Sequence, residues 1–141
     1  MRSMTLRQTG HLRKALNAIK KAIQLDPNDP KNYVERGIYY DIQYMRGKAL
    51  ADYEHALQLN PNLVDAYIIR AIGYTFLDKA KAFADFKKAL SLEPNNMLIY
   101  ATRADFYIKI NEIDNAIADA TYALQNGFSI PPVYIILIRA N

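Results

Sequence analysis

Tyr33, Tyr67, Tyr100 and Tyr134 stand 34, 33 and 34 residues apart. Ala15, Ala49, Ala82 and Ala116 keep the same three intervals, as do Ala22, Ala56, Ala89 and Ala123; Pro27, Pro61 and Pro94 follow at 34 and 33. A period of this length marks a chain built by stacking copies of one supersecondary unit. Each copy is too small to bury its apolar face alone, so every copy needs a neighbour.

Spacing within each copy is helical. Tyr33, Gly37 and Tyr40 fall at i, i+4 and i+7 and share one helix face, and Ala49, Tyr53 and Ala56 do the same on a second helix. A turn expected to contain Gly47 joins them. Pro61 ends the second helix, because proline lacks the N–H and disfavours helix in the residue before it. Asn28, Asn62 and Asn95 follow the prolines, in place to cap the next helix. Each copy is therefore predicted to be a helix hairpin, with Gly37, Ala71 and Ala104 allowing close approach. The middle copy is one residue short between Tyr74 and Ala82, which puts its deletion in the turn.

This pattern resembles the tetratricopeptide repeat, which has an aromatic, a small residue and a tyrosine in its first helix. Its second helix has alanine, an aromatic and alanine, with proline after it. Here those positions are Tyr33, Gly37, Tyr40, Ala49, Tyr53, Ala56 and Pro61, then Tyr67, Ala71, Tyr74, Ala82, Phe86, Ala89 and Pro94. A third copy has Tyr100, Ala104, Tyr107, Ala116, Ala120 and Ala123, with Gly127-Phe128 in place of proline. The resemblance implies an all-α solenoid of antiparallel hairpins in a right-handed superhelix. Its divisions are an incomplete copy at 1–29, copies at 30–63, 64–96 and 97–130, and a partial or capping helix at 131–141.

One departure from that family recurs. Arg36, Arg70 and Arg103 fill a slot usually held by leucine, and Asp52, Asp85 and Asp119 recur at a matching slot of the second helix. They read as Arg–Asp pairs tying the two helices of each hairpin.

The residues give catalysis little to stand on. Without cysteine there are no disulfides, thiolate zinc sites or cysteine nucleophiles. His11, expected in a turn, and His55, expected on a second helix, have no ligand cluster around them, and no phosphate loop or nucleophile elbow is present. No catalytic residue, metal or cofactor is expected. The longest apolar run, Val133 to Ile138, is too short to span a bilayer, which needs about 20 residues. The opening MRSMTLRQTGHLRK is basic and acid-free like a mitochondrial presequence, yet the same residues fit the repeat. An intracellular, cytoplasmic location is the expectation. Lys20-Lys21, Lys79, Lys81 and Lys87-Lys88 read as a solvated outer face, so nucleic acid is not expected.

In the family it resembles, first helices line a concave groove that holds a peptide or helix. Carried over by position, the groove takes Val34, Glu35, Ile38 and Asp41 from one copy. The next gives Asp65, Ile68, Ile69, Ile72 and Phe76, and the third gives Thr102, Asp105 and Lys109. Ile68, Ile69 and Ile135 are expected on open surface; Ile38, Ile42 and Ile72 fit groove and internal packing equally. Ile135 and Ile136 form a terminal apolar surface.

Some members of the family clamp a C-terminal carboxylate with basic residues. Apolar side chains stand in those places here, and they cannot compensate a desolvated carboxylate. The implied role is a non-catalytic scaffold or adaptor for a protein or peptide with an apolar helical segment. Two alternatives are a self-assembling structural array, as a homo-oligomer, and a regulatory piece of a larger enzyme.

Overall fold

The structure, a computed structural model, describes residues 6–140, with side chains from residue 9 onward. Among the described residues the chain forms helices only: α1 (Leu6–Leu25), α2 (Pro30–Ile42), α3 (Arg46–Leu59), α4 (Val64–Tyr74), α5 (Lys79–Leu92), α6 (Met97–Lys109), α7 (Ile113–Gln125) and α8 (Pro132–Ala140). It divides into two compact units, with the boundary inside α4 between Ala66 and Tyr67.

In the first unit α2 and α3 form a hairpin and α1 packs on α2. His11 lies inside α1, not in a turn, because that helix runs unbroken to Leu25. In the second unit α6 and α7 form a hairpin, α5 packs on α6, and α8 on α7. The recurrent alanines Ala49, Ala56, Ala82, Ala89, Ala116 and Ala123 have no exposed surface. Around them Tyr53 fills the first unit, while Phe86, Ile99 and Phe106 fill the second. The Phe106 ring lies 5.4 Å from Phe86 and 4.9 Å from Phe83.

Helix ends follow local chemistry, one residue away from the sequence expectation. Asp29 caps α2 by accepting from the Lys31 N–H, and Asn96 caps α6 by accepting from the Leu98 N–H. Asn28 and Asn95 precede these caps. Pro30 at the first helical position fixes where α2 starts, since its missing N–H costs nothing there.

The turns between paired helices use a left-handed residue, but not Gly47, which lies in the first turn of α3. After α2 the residue is Tyr44 (φ 59°): the Met45 N–H bonds to Tyr40 O and the Tyr44 N–H to Asp41 O. Asn111 (φ 63°) does the same after α6, with Glu112 on Tyr107 O. Gly127 (φ 83°) ends α7 this way, with Phe128 on Ala123 O. All three are Schellman caps, which glycine or asparagine adopts at least cost. The short turn between α4 and α5 lacks this residue. There the Asp78 N–H bonds directly to Tyr74 O, and the Asp78 side chain caps α5.

Each hairpin is then locked by its Arg–Asp pair. Arg36 donates Nε to Asp52 Oδ2 at 2.9 Å and Nη2 to Oδ1 at 2.8 Å. Arg70 holds Asp85 at 2.9 and 2.7 Å, and Arg103 holds Asp119 at 2.7 and 2.9 Å. All three are two-point pairs, the geometry that makes arginine irreplaceable by lysine. Each guanidinium also lies between two tyrosines of its own helix, at i−3 and i+4: Arg36 is 5.6 Å from Tyr33 and 5.9 Å from Tyr40. The other two repeat this with Tyr67 and Tyr74, and with Tyr100 and Tyr107. Hydrogen bonding to the aspartates holds all three guanidinium pKa values above their ordinary range.

Candidate functional site

With the hairpins locked by their own charges, interest moves to side chains that the packing leaves open. On α2 the positions 31, 35, 38 and 42 fall on one helix face by their i, i+4, i+7 and i+11 spacing. Lys31, Val34, Glu35, Leu63 and Asp65 line a shallow cleft of about 200 Å³ in the first unit. Ile38 and Ile42 continue the face as exposed apolar residues.

Asp41 does not join this face as a free acid. The Tyr53 hydroxyl donates to its Oδ2 at 2.6 Å, and Arg46 Nη1 lies 3.1 Å from its Oδ1. That Oδ1 is buried and accepts no hydrogen bond, so its tie to Arg46 is the ion pair alone. Burial first, then the bond to Asp41, pushes the Tyr53 phenol far above its usual pKa range. Asp41 therefore closes the α2–α3 hairpin, a role its place in the repeat does not reveal.

In the second unit, Ile69, Ile72 and Phe76 follow one another at i, i+3 and i+7. Ile69 is half-buried, Ile72 is 43% exposed and Phe76 is 76% exposed. Ile68, expected on open surface, is buried. One residue turns a helix by about 100°, so it packs inward beside Tyr67. Thr75 is buried too, its hydroxyl donating to Ala71 O.

On α6, Leu98 is exposed and Thr102 half-buried. Asp105 pairs with Lys109 at 2.9 Å and accepts from the Tyr134 hydroxyl at 3.3 Å, so both charges of this edge are already engaged. On α8, Ile135 is half-buried against the α6–α7 core, while Ile136 is 65% exposed.

Sequence reasoning passed over the exposed turn residues. Tyr44 is 85% exposed, and Met45 and Leu77 are exposed beside their turns. Counting four residues on from Tyr40 would have placed Tyr44 at the left-handed cap.

The described residues hold no cluster of His, Cys, Asp or Glu suited to a metal, and no described helix is long and apolar enough to cross a membrane.

Comparison with known proteins returns the same architecture. A tetratricopeptide-repeat family model matches residues 1–29. A thermophilic TPR protein of Thermus thermophilus, TTC0263, superposes with a TM-score of 0.73 at 25% identity, over 84% of this chain and 67% of that one. A crystal structure of MamA gives 0.68 at 21% identity, over 89% of this chain and 77% of that one. A second MamA structure gives 0.67 at 22% identity, over 82% of this chain and 63% of that one. No curated protein matches the sequence.

Proposed function

Because the chain is a tetratricopeptide-repeat protein, we propose that it is a non-catalytic scaffold whose first-helix faces bind an apolar helical segment of another protein. The observation that carries this reading is the exposed pair Ile72, on α4, and Phe76, in the turn that follows it, with half-buried Ile69 one turn before. Packing leaves these side chains in water although the hairpin core is complete without them. Exposed apolar side chains of this kind suit the apolar face of an amphipathic helix, and removing their area from water stabilises a complex by about 25 cal/mol per Å².

Charge agrees. Asp105 is held by Lys109, and Arg36, Arg70 and Arg103 are held by aspartates, so these four cations are already engaged and are not offered to a carboxylate terminus.

The test is selection from a display library of helix-forming peptides, followed by calorimetric titration of the best binder. Peptides with apolar residues at helical spacing are expected to be enriched. Ile72→Glu and Phe76→Glu should each weaken the recovered peptide at least tenfold while leaving helicity and melting temperature unchanged. A peptide that binds both variants as well as the original chain would refute this site.

A further inference from the structure

In the first unit, three charges stand around an apolar cleft and serve no contact within the fold. Lys31, Val34, Glu35, Leu63 and Asp65 line this space of about 200 Å³, where the start of α4 comes beside α2. Its floor is apolar, since Val34 is buried and Leu63 half-buried. Its rim is charged, and Lys31, Glu35 and Asp65 are all exposed. Lys31 stands one turn before Glu35, yet among the described residues none of the three is in an ion pair. The other two charges of α2, Arg36 and Asp41, are both paired.

The chemistry of the rim selects what can enter. Two carboxylates against one ammonium leave it short of one positive charge. A partner's carboxylate would meet repulsion there. A purely apolar anchor would take water from Glu35 and Asp65 and give nothing back. A lysine or arginine meets both demands, because its apolar stem lies along apolar surface while its charged end stays at the rim. Beyond the cleft the face is apolar: Ile38 and Ile42, 39% and 49% exposed, lie one and two turns on from Glu35.

We infer that the cleft takes a single lysine or arginine of the bound segment, with apolar side chains of the same helix face reaching Ile38 and Ile42. This deepens the first-helix-face reading and rests on it. It is carried by the first unit alone and does not use Ile72 or Phe76.

The probe is a blocked, alanine-based helical peptide with one lysine and two leucines on one face, made in both chain orders. Counterparts have glutamate in place of the lysine. Each is titrated into the isotope-labelled 141-residue chain while backbone amide shifts are followed. One order of the lysine peptide should give saturating shifts at Val34, Glu35, Leu63 and Asp65. Its glutamate counterpart should bind about tenfold more weakly at low salt, because exposed pairs turn from attraction to repulsion. That gap should shrink in about 1 M salt, where such charges are screened. Glu35→Lys together with Asp65→Asn should reverse the preference, with helicity and melting temperature unchanged because both residues are exposed. No saturating shift at the cleft from either lysine peptide, equal binding of lysine and glutamate peptides, or a preference that survives the double substitution would each overturn the proposal. Ile72→Glu and Phe76→Glu should leave binding at the cleft unchanged, so failure here is separate from failure of the proposed function.

Discussion

Replacing Gly37 by alanine tests the packing of the first hairpin at its tightest point. In a helix interior this change ordinarily stabilises by about 1 kcal/mol, because glycine loses more backbone freedom on folding. Here a Cβ would stand 2.8 Å from Tyr53 Cδ1 and 3.0 Å from Cζ, with Cε1 closer still. Those distances are inside van der Waals contact, so something must move. The ring cannot swing away cheaply, since Tyr53 is fully buried and its hydroxyl is held by Asp41 at 2.6 Å. Overpacking costs roughly 1–3 kcal/mol, and stretching a hydrogen bond to a partly buried carboxylate adds about 1. Set against the helix gain, Gly37→Ala should destabilise by about 1–3 kcal/mol. Urea unfolding followed by circular dichroism reads this as a lower midpoint with an unchanged slope. The same substitution beside Tyr53→Ala should turn stabilising, because the ring it meets is gone. A Gly37→Ala protein as stable as the original, with Tyr53 intact, would refute the reasoning.

Arg70→Leu should cost about 2–3 kcal/mol in urea unfolding, because Asp85 stays buried without a partner, while Arg70→Leu with Asp85→Leu should fall within about 1 kcal/mol of the original. Tyr44→Gly should stabilise by about 1 kcal/mol in the same assay, since it relieves a left-handed tyrosine whose ring touches little. Alkaline unfolding should show the tyrosines. Burial, then the charge of Asp105 and its hydrogen bond, pushes the Tyr134 phenol up to about 12 from an ordinary 10.0. Between those pH values the folded chain keeps a proton that the unfolded chain has lost. The contribution of Tyr134 is therefore whole below pH 10 and lost as pH rises to about 12. Tyr134→Phe should flatten the fall of stability over that window, and an unchanged slope would contradict it.

The hairpins and their Arg–Asp ties were legible because both partners of each tie recur with the period. Asp41 was not, because its partner Tyr53 has the hydroxyl in one copy only; Phe86 and Ala120 stand in the same slot elsewhere. Periodicity exposes what copies share and conceals what one copy does alone. Ile68, Ile69 and Ile72 show a second limit. All three are the same residue type, so pattern cannot say which is turned inward, whereas in the fold Ile68 is the one that is buried. The caps show a third: Asn28 and Asp29 are both able to cap, and the position of Pro30 selects Asp29. Gly47 drew attention as the natural left-handed residue, but the Schellman geometry counts from Tyr40 and falls on Tyr44.

The measurement closest to the central claim is a titration of the isotope-labelled chain with the selected helical peptide, following backbone amide shifts residue by residue. Binding on the open first-helix faces predicts saturating shifts centred on Ile69, Ile72 and Phe76, with the interior amides of α3, α5 and α7 unmoved. Saturating shifts confined to the lysine-bearing outer face of α5, around Lys81 and Lys88, would contradict it.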